Sequence, residues 1–271
     1  MIGDEISIKE FELVRRFFFD ASGIRLNDTK RSLVCGRLGA RLRKLNIPDY
    51  ASYMHYIAQP GNHTERQQAI DLLTTNETYF FREPKHFAFL DKLLDKGWPG
   101  QEKTPEIWSA ACSSGEEPYS IAMLLQHHYP KRIWKIQASD LSTRMLETAK
   151  EGLYPMARAR EMPTEFLKAY CLKGQGEYDG WLMVDESIRQ HVQFRQLNLT
   201  EPLPSMGPFD LIFLRNVLIY FEPAVKKRIV NQLVAALKPE GYLFVGHSES
   251  LNGVCDDLIP IQPAIYQRGK A

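Results

Sequence analysis

Apolar positions recur at helical spacing through about the first 75 residues. Phe11, Val14, Phe17 and Phe18 follow Ser7 and Glu10, a pairing that fits a capping box and predicts a helix start. Residues 29–46 continue the pattern, with Val34, Leu38, Leu42 and Leu45 on one stripe and Pro48 as a stop. Further helices are predicted over 50–57 and about 65–73. From Glu106 the rhythm changes to short apolar runs alternating with helical stretches, which predicts βαβ units and a mostly parallel sheet. The expected strands are 107–111, 133–139, 192–196, 209–214 and 242–245. Helices fall at about 118–128, 142–151 and 223–237, the last closed by Gly241 after Lys238 and Pro239. Residues 155–192 interrupt this order with a helix and then the turn-rich KGQGEYDGWLMVDESI, predicting a small antiparallel insertion. The chain thus divides into a helical part (1–75), a linker that contributes to the site (76–90) and an α/β domain (91–271).

Composition narrows this picture only a little. With 271 residues, 44% of them hydrophobic, and a formal net charge of +1, the chain is globular and has no global charge that would draw nucleic acid or an anionic membrane. Cys35, Cys112, Cys171 and Cys255 are widely spaced with no C-x-x-C pair, so no disulfide framework or metal site is expected, and a reducing cytoplasm fits. The start, MIGDEISIKEF, is acidic and unlike a signal peptide, and no apolar run approaches the roughly 18 residues of a membrane span. A cytoplasmic monomer is expected.

The chemistry is expected at the carboxyl ends of the parallel strands. The first of these runs into ACSSGEEPY, where small residues and a helix start would let a ligand approach backbone N–H groups. Glu116 and Glu117 would repel phosphate there and favour hydroxyls or a cation, so a nucleotide without phosphate is indicated. Asp140 follows about 25 residues later, where ribose-binding acids stand in dinucleotide folds; the alternative is an N-cap for the next helix. Asn198 ends the third strand, where it could instead close a turn, and Arg215 with Asn216 ends the fourth, where Asn216 could instead cap a helix. Acids in a first helical turn also offset the macrodipole without any ligand. On the 30–44 helix, Lys30, Arg37, Arg41 and Lys44 fall within a narrow arc at 100° per residue, either a solvated face or a surface for an acidic partner. GHSES (246–250) resembles a serine nucleophile elbow but has Ser250 where the motif requires glycine.

NETYFFRE (76–83), WSAACSSGEEPYSIA (108–122), ASDLS (138–142), FDLIFLRNVLIYF (209–221) and LKPEGYLFVGHSES (237–250) occur in that order over nearly the whole chain. Together they resemble the CheR family of chemotaxis-receptor methyltransferases. The resemblance implies a small all-α N-terminal domain before a Rossmann-like α/β methyltransferase sheet that bears a small antiparallel β-subdomain. It implies an enzyme that moves the methyl group of S-adenosylmethionine to glutamate side chains on the cytoplasmic helices of chemoreceptors, leaving S-adenosylhomocysteine. Carried over, the cofactor contacts fall on Asn76, Thr78, Arg82, Glu117, Asp140, Asn198, Leu199, Arg215 and Asn216. Arg82 and Tyr220 come nearest the transferred methyl, and Lys30, Arg37, Arg41 and Lys44 form the receptor-docking face. The insertion corresponds to a subdomain that in some members adds a strand to a receptor C-terminal peptide.

The residues agree with this on their own terms, because S-adenosylmethionine carries ribose, adenine and a sulfonium cation but no phosphate. A glutamate acceptor, with a solution pKa of about 4.3, is ionised at neutral pH and requires no general base, so a missing catalytic His or Cys is no objection. Other readings exist. Arg82 could pair with Glu83 or Asp71 on the surface, and Tyr220 could be core. The whole chain could be a small-molecule or RNA methyltransferase, or a catalytically silent receptor adaptor. LRNVLIYF stands where a D/N-P-P-Y element would mark methylation of base amino groups.

Overall fold

The computed structural model describes residue 3, residues 5–100 and residues 103–270. Four helices come first: α1 (Ile8–Ser22), α2 (Arg31–Leu45), α3 (Tyr50–Ala58) and α4 (His63–Leu73). The capping box at Ser7 and Glu10 is present in full, and Gly23 ends α1 in the left-handed conformation. Asn46 ends α2 the same way, and the Asp49 side chain caps α3. Phe11, Val14, Phe18, Val34, Leu38 and Leu42 fill one core with residues of α3 and α4.

Then follow α5 (Pro84–Asp95), β1 (Ile107–Ser109), α6 (Glu116–His128), β2 (Ile136–Asp140) and α7 (Thr143–Glu151). The insertion holds β3 (Leu153–Pro155), α8 (Thr164–Tyr170), β4 (Cys171–Lys173), β5 (Trp181–Val184) and α9 (Glu186–Arg189). The chain closes with β6 (Val192–Gln196), β7 (Phe209–Leu214), α10 (Pro223–Ala236), β8 (Leu237–Val245), β9 (Leu258–Gln262) and β10 (Ile265–Arg268). The main sheet has seven strands in the order β6-β2-β1-β7-β8-β10-β9, parallel through β8 and antiparallel beyond it; β3-β5-β4 form a separate antiparallel sheet. The order reverses between β1 and β7, where an open sheet leaves a crevice at its carboxyl edge. Leu211 and Phe213 pack on one face, against α5 and α6 residues such as Leu90 and Leu125, while Ile212 and Leu214 pack on the other, against Val230 and Leu233 of α10. At about 1.5–3 kcal/mol per fully buried large apolar side chain, this two-sided burial holds β7 in the centre of the sheet.

Several expected boundaries differ. The second strand begins at Ile136, and Ile133, 84% exposed, lies outside it. The first strand ends at Ser109, before the turn. Gly241 does not close α10, which ends at Ala236 with Leu237 already extended and paired with Phe209. Gly241 instead lies at an irregularity of β8, where a Cβ would meet Lys238 O at 2.9 Å and Asp210 O at 3.1 Å. The insertion sheet starts at Leu153, two residues earlier than expected, because Gly152 ends α7 at φ 68° and the chain extends at once. Among the described residues no helix is long and apolar enough to cross a membrane.

Candidate functional site

A cavity of about 320 Å³ opens at the carboxyl ends of β1 and β7. All the residues expected at the cofactor line it: Asn76, Thr78, Arg82, Glu117, Asp140, Asn198, Leu199, Arg215 and Asn216, together with Tyr220. They arrive on five separate segments, so only the folded chain brings them together. Unexpectedly, the helical domain supplies a further wall, with Phe18, Ser22 and residues 24–27, Lys30 and Leu33. Apart from Lys30, singled out there for a docking face, nothing in the sequence marked these, because their positions carry ordinary core and turn residues.

The turn after β1 shapes the floor. Cys112 N–H donates to Ser139 O, tying the turn to β2, and Ser113 stands at φ 48° with its N–H donating to Asp140 Oδ2 at 2.8 Å. Gly115, at φ 96°, makes room for protein packing: a Cβ there would meet Ala149 Cβ at 2.8 Å and the Tyr154 hydroxyl at 3.0 Å. The two adjacent acids then part. Glu117 faces the cavity, accepts from Ser109 Oγ at 2.7 Å and pairs with Arg215 Nη1 at 3.0 Å. Burial pushes its carboxyl above the ordinary range, against the opposing pull of Arg215 and Ser109. Glu116 turns away, accepts from Ser114 Oγ at 2.6 Å and comes within 3.9 Å of Arg158 Nε.

Asp140 is not the cap of α7; that cap is Ser142, whose Oγ accepts from Met145 N–H. The Asp140 Oδ1 accepts from Ser142 N–H at 2.9 Å, and burial raises its pKa. Each oxygen retains a lone pair that a ribose hydroxyl can address. Asn198 does shape a turn, its Oδ1 accepting from Thr200 N–H at 3.1 Å, and its Nδ2 also donates to Ala21 O at 3.0 Å across the domain boundary. Asn216, at φ 57°, caps no helix.

Arg215 is buried to 6% exposure between two carboxylates, Glu117 and Glu83, the latter 3.1 Å from Nη2. Its Nε–H has no protein partner. Glu83 thus serves Arg215, a role that sequence reasoning did not assign to it. Arg82 donates to Glu77 O at 2.7 Å and pairs with neither Glu83 nor Asp71. Tyr220 is half-buried at the cavity mouth beside exposed Ile219, and is not core. Glu83, His86 and His247 bring potential metal-ligand atoms within 4.8 Å of one another. The Glu83 carboxylate is already committed to Arg215, so a cation there would have to compete with a guanidinium.

The basic face of α2 is only partly free. Arg37 donates to the carbonyls of Leu72 and Thr74 at the end of α4, and Arg41 forms a two-pronged pair with Glu65, which also accepts from the Tyr53 hydroxyl. The expected docking role of Arg37 and Arg41 gives way to this internal one, while Lys30 and Lys44 remain exposed.

A cavity lined by Glu117 and Asp140 beside the Arg82 and Arg215 guanidinium groups fits a nucleoside that bears a sulfonium and a carboxylate. Residues 76–266 match the family described as "CheR methyltransferase, SAM binding domain", and residues 9–74 match "CheR methyltransferase, all-alpha domain". The chain is 42% identical to chemotaxis protein methyltransferase 2 of Pseudomonas aeruginosa over 89% of its length and 86% of that protein's. It is 38% identical to the chemotaxis protein methyltransferase of Salmonella typhimurium, covering 98% of this chain and 92% of that one, and 38% identical to its Escherichia coli counterpart, covering 91% and 86%.

Proposed function

The chain belongs to the CheR methyltransferase family, and from that premise we propose that it transfers the methyl group of S-adenosylmethionine to glutamate side chains on the cytoplasmic helices of chemoreceptors. The observation that carries the acceptor assignment is that Arg82 and Tyr220 line the same cavity as the expected cofactor contacts, so a charged and a hydroxyl donor are available to hold a carboxylate beside the cofactor. The bound cofactor supplies an electrophilic methyl on a sulfonium. Asp140 takes the ribose hydroxyls. Glu117 and Arg215, locked to each other, set the charge of the floor, and Asn76, Thr78, Asn198, Leu199 and Asn216 complete the walls. The acceptor glutamate enters ionised and has to be dehydrated and aimed. Arg82 pairs with one of its oxygens, and the Tyr220 hydroxyl donates to it.

Receptor recognition is assigned to two surfaces. Lys30, at the cavity mouth, and Lys44 present positive charge to an acidic helix. The outer edge of β4, which carries exposed Leu172, accepts a receptor C-terminal peptide as an added strand. Calorimetry against receptor C-terminal pentapeptides tests the second surface, and no heat with any of them removes it.

The reaction is tested with labelled S-adenosylmethionine and receptor-bearing membranes. Base-labile label on the receptor is expected, as for a methyl ester; label found only on RNA or small molecules would sink the assignment. Arg82→Ala is expected to lower transfer about a hundredfold, the scale of one oriented charged contact, with a smaller loss of S-adenosylhomocysteine affinity. Equal losses in both would deny Arg82 its orienting role.

A further inference from the structure

The segment GHSES, residues 246–250, has no part in the function above, yet it carries a carboxylate at 5% exposure. Glu249 Oε2 accepts from the backbone N–H of Asn216 at 2.8 Å and of Gly246 at 2.6 Å, and Oε1 accepts from the Ile219 N–H at 3.2 Å. Two of these three donors belong to the loop after β7, which brings Arg215, Asn216 and Tyr220 to the cavity. That loop has reason to be anchored. Asn216 stands at φ 57°, a conformation that a non-glycine residue keeps only where its surroundings hold it. The fit is close: a Cβ on Gly246 would lie 2.5 Å from Asn216 Nδ2, 2.8 Å from Glu249 Oε2 and 2.9 Å from Asn216 N. Glu83 grips the same residue from the other side, its Oε1 accepting from Asn216 Nδ2 at 3.1 Å and from His247 N–H at 3.2 Å.

We propose that Glu249 is a positioning residue for the cofactor site, holding residues 215–220 so that Asn216 faces the cofactor. A carboxylate is required there because all three partners are N–H donors; an amide would turn its NH₂ against at least one of them. The proposal rests on Asn216 being a cofactor contact.

The test is S-adenosylhomocysteine affinity by calorimetry on the full chain, for the parent, Glu249→Gln, Asn216→Ala and the double variant, with thermal unfolding to show that each is folded. Glu249→Gln is expected to bind about tenfold more weakly, the scale of a lost charge-assisted hydrogen bond. The double variant is expected to lose no more than the worse single one, because both act through one loop. Parental affinity in folded Glu249→Gln, or single losses that multiply, overturns the proposal. Glu249→Asp, shorter but still acceptor-only, is expected to recover part of the loss, and an Asp variant no better than Gln counts against it. Should Glu249→Gln fail to unfold cooperatively, Gly246→Ala presses on the same contact and is expected to show the same loss; parental affinity there is equally fatal. If Asn216→Ala binds normally, Asn216 is no cofactor contact and the proposal falls. A parent that does not bind S-adenosylhomocysteine instead sinks the methyltransferase reading itself.

Discussion

Single residues in this site are set by their partners more than by their type. Glu116 and Glu117 are adjacent acids in one helical turn, yet one faces Arg158 and the other Arg215. His86 is the sharpest case. It is fully buried, neither ring nitrogen has a hydrogen-bond partner, and burial first and Arg215 second push its pKa down to about 3, with Glu83 opposing only in part. The unfolded chain takes up a proton near pH 6.5 that the folded chain refuses. The stability tied to a neutral His86 is therefore complete above about pH 6.5 and drains as pH falls toward 3. The urea midpoint is expected to fall between pH 7 and pH 5, and to fall less in His86→Leu, which also removes two unpaired nitrogens. Parallel midpoint curves for parent and variant would show that His86 is not the group responsible.

Among the elements, α7 shows a helix start completed from outside its own segment. Ser142 caps it, but the first N–H groups, of Thr143 and Arg144, donate at 3.1 Å and 3.2 Å to the buried carboxylate of Asp71 in α4, which also accepts from Thr143 Oγ1 at 2.8 Å. Asp71→Ala strands those donors and is expected to cost about 1–3 kcal/mol, read as a lower urea midpoint with a smaller loss in Asp71→Asn. An unchanged midpoint would mean that water replaces the carboxylate at no cost. Such pairings also explain what the sequence could tell. The Ser7 capping box and the apolar run of β7 are local, and both are readable from neighbouring residues. The hold of Asp71 on the start of α7, the anchoring of Arg37 on the carbonyls of α4, and the tie of Glu83 to Arg215 join residues far apart in the chain. For these, periodicity has nothing to say. The strands β9 and β10 escaped for another reason: Pro260 and Pro263 interrupt LIPIQPAIYQ, so the stretch reads as turn and not as strand.

At the scale of the whole molecule, the cavity belongs to neither half alone. The helical domain meets the α/β domain through Asp71, through Gln67 Nε2 donating to Leu141 O at 3.1 Å, and through a strand-like bridge between Ile24 and Phe221. Residues 24–27 at that bridge then form cavity wall. It follows that forcing the domains apart should weaken cofactor binding even where no cofactor contact is touched. Gly23 offers the means. It ends α1 at φ 72°, and a Cβ there would lie 2.6 Å from Thr200 Cγ2 in the opposite domain. Gly23→Ala therefore carries the strain of a left-handed alanine, about 1 kcal/mol, and a clash relieved by separating the domains, by shifting the Asn198–Thr200 turn or by rotating the Thr200 side chain off its 2.8 Å bond to Asn198 Oδ1. Each of these movements disturbs the wall that Asn198 and Leu199 give the cavity. The variant is expected to melt lower than the parent and to bind S-adenosylhomocysteine more weakly. At a ligand concentration of 100 times the parent dissociation constant it should also gain less than the roughly 2.7 kcal/mol that saturation gives the parent. A lower melting temperature with parental affinity would assign the strain to α1 alone and leave the cofactor site to the α/β domain.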